Sequence, residues 1–184
     1  NTVAIGSCFN DANGSESGRV RIYDWDGITW SQRGSSILGT NINDQLGRSV
    51  SLSSDGMTVG IGARLADGGG EESGAAIIYQ WTGSDWNQLG NPINGSSAYD
   101  EAGSAVALSK DGLTIAVGAP LHDLNGGDSG QVRVFKWDGT VWQQLGLDLV
   151  GSNAGDQFGH ALAVSEDGTT LAVGAIGSDG NGDK

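Results

Sequence analysis

The chain repeats itself every 56 residues. Thr-(Val/Ile/Leu)-(Ala/Gly)-(Val/Ile)-Gly begins at Thr2, Thr58, Thr114 and Thr170, with no insertion between copies. Other columns hold the same phase: Trp25, Trp81 and Trp137; Trp30, Trp86 and Trp142; Asp44, Asp100 and Asp156; Asp55, Asp111 and Asp167. A fixed period of this length means that each copy is one supersecondary unit, which buries its apolar faces on its neighbours. The chain therefore reads as one repeat domain over 1–184, with copies at 2–57, 58–113 and 114–169 and a partial copy at 170–184. The recurrence also sorts the residues. One retained in every copy serves the repeat; one present in a single copy is where a unique site would have to lie.

Within a copy the pattern is that of strands. Ala105 to Ser109 is short, apolar and β-prone, and Lys110-Asp111-Gly112 follows as a hairpin turn. Leu113 to Gly118 makes a second strand, apolar on both sides as expected when sheets stack face to face. Gln131 to Trp137 alternates, with Val132 and Val134 on one face and Phe135 and Trp137 on the other. Asp138-Gly139 turns the chain into a fourth strand, Val141 to Leu145. No stretch has helical periodicity. The fold class is all-β: four antiparallel strands per copy, the signature of β-propeller blades, here about three of them as a partial propeller or part of a larger ring. A β-solenoid is the runner-up, but its rungs are usually shorter.

Composition narrows the partners. The net charge is −13 with only 9 Lys and Arg, which disfavours nucleic acid and anionic membranes. Cations, or basic patches on proteins, suit it better. The 33 glycines fit many tight turns. Cys8 stands alone, so no internal disulfide forms. No apolar run approaches bilayer length, so membrane insertion is not expected. The pattern is already under way at Asn1, as in a piece of something longer.

Phe158-Gly159-His160-Ala161-Leu162-Ala163-Val164-Ser165, followed by Thr170-Leu171-Ala172-Val173-Gly174-Ala175, resembles the FG-GAP repeat, and Gly118-Ala119-Pro120 spells its GAP. Leu46-Gly47 and Ala102-Gly103 stand where Phe-Gly would. The paired tryptophans resemble a long subtype of these repeats. The resemblance implies a β-propeller, typically of roughly seven blades, outside the cell or on its surface, used in adhesion or protein recognition. It also implies calcium loops between the first two strands in some members. Here that position is only Ser109-Lys110-Asp111-Gly112, too short for a cage.

The oxygen-rich loops lie instead between the second and third strands. Their candidate metal ligands are Asp11, Asn13 and Glu16; Asp67 and Glu72; and Asp123, Asn125 and Asp128. A fourth copy runs from Asp179 to Lys184. Calcium is the cation such oxygens suit, but it wants six to eight of them, and each loop offers two or three. The competing reading is that each Asp caps its own turn. For Asp44, Asp100 and Asp156 the favoured role is likewise to accept backbone N–H groups in the connector. The tryptophans read as packing across their hairpin rather than as a sugar platform. His122 and His160 fall at unrelated phases, and no Ser-His-Asp order, zinc spacing or phosphate loop is present. Two glycosylation sequons, at Asn13 and Asn94, are about as many as chance supplies.

The expected function is a non-enzymatic extracellular scaffold that engages other proteins, or further copies of the repeat, through its loops. A glycan-binding module, with the tryptophans or Tyr99 exposed, is the alternative. An enzyme would need a site built from single-copy residues such as His122, His160 or Arg64, and the sequence shows no such cluster.

Overall fold

The structure, a computed structural model, describes residues 1–179, and every regular element among them is a strand. The first sheet holds β1 (Thr2–Ser7), β2 (Arg19–Trp25), β3 (Trp30–Gln32) and β4 (Ile37–Leu38). The second holds β5 (Leu46–Leu52), β6 (Thr58–Ala63), β7 (Ala75–Trp81), β8 (Trp86–Gln88) and β9 (Ile93–Asn94). The third repeats this with β10 (Ala105–Leu108), β11 (Thr114–Ala119), β12 (Gln131–Trp137), β13 (Trp142–Gln144) and β14 (Leu149–Val150). β15 (Phe158–Val164) and β16 (Leu171–Ala175) form a fourth pair. All pairings within the sheets are antiparallel, and the sheets are propeller-like blades. The blade frame runs ahead of the Thr-based count: the second sheet opens at Leu46 rather than Thr58.

One feature differs from the sequence expectation. The fourth strand is broken in two, so that β8 and β9 both pair with β7 on the same edge. The break falls at Gly90, whose φ of 75° is left-handed, and at Pro92, which has no N–H to give. Gly34 and Gly146 break the other two copies in the same way.

Along β6 the side chains alternate in size as well as in face. Val59, Ile61 and Ala63 pack with Val20, Ile22 and Leu46 in a core shared with the first sheet. Gly60 and Gly62 face the third sheet, where a Cβ on Gly60 would lie 2.9 Å from Ile115 Cδ1. β11 repeats the rule: Ile115, Val117 and Ala119 join Ile78, Ala102, Val106 and Leu108 in the next core. The second and third sheets thus turn a large-residue face to the sheet before them and a small-residue face to the sheet after them. All six residues of β6 and of β11 are buried.

The small face permits close approach. A Cβ on Gly62 would lie 1.8 Å from the carbonyl oxygen of Gly103, and one on Gly118 would lie 2.1 Å from that of Gly159. Gly6 and Gly47 repeat the contact at 2.1 Å. Gly47, Gly103 and Gly159 are themselves left-handed, with φ of 91°, 85° and 95°. At Gly47 and Gly159 the strand register shifts, as at a β-bulge. Backbone bonds cross the junctions too. Ala102 N–H donates to Ser73 O at 2.9 Å, and Lys110 N–H to Glu166 O at 3.0 Å.

The hairpin turns are closed by aspartates. Asp138 Oδ1 accepts the N–H groups of Thr140 and Val141 and the Thr140 hydroxyl. These bonds, Val141 N–H foremost, lower its pKa from 3.8 to about 2. Asp167 is likewise lowered to about 2, chiefly by the Ser165 hydroxyl. A carboxylate depressed in the folded state adds stability that is full above its unfolded pKa and is lost as pH falls through the folded one. Both turns should therefore loosen between about pH 4 and pH 2. NMR titration of the Asp138 carboxyl is expected to give a midpoint near 2, and an ordinary midpoint near 4 would refute the capping account.

Candidate functional site

The oxygen-rich loops and the blade connectors meet along one rim. In each copy the loop Asp closes its own turn: Asp11 Oδ1 accepts from Glu16 N–H at 2.8 Å, Asp67 from Glu72 at 2.8 Å and Asp123 from Asp128 at 2.9 Å. The donor residue is left-handed each time, with φ of 46°, 49° and 55°. The Asn13 and Asn125 amides reach away to Gly39 O and Gly151 O, both at 2.8 Å. The Glu16 carboxylate accepts from Gln45 Nε2 at 2.7 Å. The candidate ligands are thus divided between turn closure and contacts to the connector. Among the described residues no three His, Cys, Asp or Glu side chains gather in a way that would hold a metal. The donor set does not fit a calcium cage. The fourth copy falls outside the described residues from Gly180 onward. Melting with and without chelator is expected to give the same midpoint; a drop of several degrees on chelation would return calcium to these loops.

The connector aspartates are buried, at 7%, 3% and 7% exposure for Asp44, Asp100 and Asp156. Asp156 Oδ2 accepts the N–H groups of Ser152 and Asn153. Asp100 Oδ2 accepts from Ser97 N–H and the Ser96 hydroxyl. Asp44 Oδ2 accepts from the Asn41 side-chain amide at 2.9 Å, and burial pushes its pKa up.

His122 belongs to this system. Its Nδ1 lies 3.0 Å from Asp100 Oδ1, and its Nε2 lies 3.3 Å from the Gln131 side-chain nitrogen, which also donates to Asp148. His122 is present in a single copy, and its sequence position gives no sign of these partners. The structure makes it a buried strut between the second and third blades.

The tryptophans pair across their hairpins with ring centroids 5.4 or 5.5 Å apart. They also reach backward. Trp86 Nε1 donates to Arg33 O at 3.0 Å and Trp142 Nε1 to Leu89 O at 2.9 Å, each in the preceding blade. Trp86 is 7% exposed, whereas Trp30, with no sheet before its own among the described residues, is 47% exposed. Tyr99 is exposed and donates its hydroxyl to Glu71.

One pocket corrects the sequence reading, which saw no cluster of single-copy residues. Arg48, Arg64, Glu101, Ser104, Gln157 and His160 line a cavity of about 420 Å³ together with Pro120 and Leu121. Arg48, Ser104 and His160 occupy one repeat column, directly after Gly47, Gly103 and Gly159. Gln45, Glu101 and Gln157 occupy another, all left-handed at φ of 55°, 54° and 52°. Arg64 Nε donates to Gln45 Oε1 at 2.9 Å and its Nη1 to Glu101 Oε2 at 3.2 Å. The signal was present in the sequence. The position after the constant glycine reads Arg, Ser, His in the three copies.

The family model described as FG-GAP repeat matches residues 39–79 and 94–135. Each match runs from a connector through the constant glycine and the small-faced strand to the third strand, the segments that make the junction. No curated protein matches the chain.

Proposed function

We propose that this FG-GAP-like repeat protein is a non-enzymatic extracellular scaffold that binds other proteins through its rim. FG-GAP repeats point to an adhesion and protein-interaction family of β-propellers, and no helix among the described residues is long and apolar enough to cross a membrane. One observation carries the reading. The residues retained in every copy are consumed in turns and junctions, while Arg48, Arg64, Ser104 and His160, which differ between copies, line the rim pocket. A stacked wall holds the rim rigidly, which lowers the ordering cost of binding.

Beads coated with the chain should adhere to cells of the organism that makes it. Adhesion should vanish when the cells are shaved with protease and survive periodate oxidation of surface sugars. Absence of adhesion to untreated cells would refute the scaffold.

A glycan-binding reading has one observation in its favour. Two repeat-equivalent grooves lie between blades: one of about 280 Å³ with Tyr79 and Trp86, and one of about 270 Å³ with Phe135 and Trp142. Adhesion lost to periodate but not to protease, with tryptophan fluorescence quenched by soluble glycan, would select it.

A further inference from the structure

We infer that the rim pocket binds a single carboxylate side chain, presented by a partner segment that is otherwise neutral or basic. The inference rests on the protein-binding reading and names the chemistry of its contact point.

The charge inventory points there. Several cations of the chain are already engaged elsewhere, and Arg19, whose Nε is buried without a partner among the described residues, lines a separate cavity. Arg33 pairs with Asp24 and lies over Trp81. Arg133 donates to Asn94 O and lies over Phe135. Arg21 lies over Tyr23, and Lys110 pairs with Glu166. Arg48 and His160 are exposed, and neither spends its side chain on another described residue. Arg64 is fixed through Nε and Nη1, which leaves Nη2 open. Three unspent groups of donor type thus face one cavity, on a chain whose net charge is −13.

The pocket is selective as well as cationic. Glu101 lies inside it and neutralises Arg64, so the surplus is about one positive charge, from Arg48. That balance suits a monoanion. A phosphate dianion would meet the Glu101 carboxylate with its second charge uncompensated. A guanidinium offers paired donors in the geometry of a carboxylate, which a sugar hydroxyl does not match. Glu101 and Gln157 both hold left-handed backbone in the walls of the pocket. The net charge of −13 repels an acidic segment, so the carboxylate must arrive flanked by neutral or basic residues.

The test is an NMR amide-shift titration of the whole chain with a blocked pentapeptide, Gly-Lys-Glu-Lys-Gly. Saturable shifts should centre on Arg48, Ser104 and His160. The same peptide with Gln for Glu should bind at least tenfold more weakly. Arg48→Glu should abolish binding, and His160→Gln should weaken it by a few fold. Both sites are exposed and unpartnered, so both variants should melt as the parent does. Equal binding of the Glu and Gln peptides, indifference to Arg48→Glu, or shifts centred elsewhere would overturn the assignment. So would inorganic phosphate displacing the peptide at lower concentration than acetate, which would give the pocket to dianions. Beads that still adhere while the peptide fails to bind would sink this inference alone. A peptide that binds on a chain whose beads do not adhere would sink the scaffold reading alone.

Discussion

Gly62→Ala is expected to lower the melting temperature by roughly 6–12 °C, the equivalent of about 3 kcal/mol in a domain of this size. The added methyl would sit 1.8 Å from the Gly103 carbonyl oxygen and 2.5 Å from the Ser49 hydroxyl. Neither can yield cheaply. The Gly103 carbonyl belongs to the backbone that enters the next blade and also accepts from Ser49 Oγ at 2.8 Å. Relief therefore requires the second and third sheets to part, which loosens the core around Ile78, Val106 and Ile115. Gly174→Ala is the control. It stands at the same place in the motif, but its nearest contact would be 3.3 Å from the Ala161 methyl, and no described sheet covers it. It should cost less than about 1 kcal/mol. Equal costs at the two glycines would mean that the loss arises within one strand and not at the junction.

Trp86→Ala should cost about 3–5 kcal/mol, and Trp30→Ala less than about half of that. The two residues are the same letter of the repeat, 56 positions apart. They differ in what lies behind them. Trp86 is buried against the first blade and bonds to Arg33 O, while Trp30 is exposed. Trp86→Phe separates the two contributions. It keeps the ring packing and loses the indole bond, for about 1–2 kcal/mol. Chemical denaturation of the three variants gives these differences directly. A Trp86→Ala variant as stable as Trp30→Ala would show that the pairs serve only their own hairpins.

Much of this fold was legible in the sequence because repetition does the work of an alignment. The strands of the third copy, the hairpin aspartates and the turn-closing role of Asp11, Asp67 and Asp123 follow from period, alternation and turn chemistry. What did not follow was contact between copies. The meeting of Gly62 with Gly103 joins residues 41 positions apart, and neither letter states which partner it needs. The clue was the size alternation in Thr58-Val59-Gly60-Ile61-Gly62-Ala63, which reads simply as apolar until a second sheet is laid on it. His122 is unique to one copy, and nothing in the sequence points it to its partner Asp100, a constant of the repeat. Arg64 and His160 belong to different copies and different columns, so no local pattern could bring them to one cavity. Local chemistry is written along the chain; the pocket is made by stacking.

That stacking is the central claim: the blades form one cooperative wall, and the rim is rigid because the wall is. Native-state hydrogen exchange of the Ala102 amide tests it most directly. This N–H crosses the junction between the second and third blades to reach Ser73 O, and Ala102 is fully buried. The account predicts that it exchanges only with the opening that also releases the strand amides of β6 and β11, at the same free energy. An Ala102 amide that exchanges freely while those strands stay protected would describe independent blades on a string, and would contradict the account.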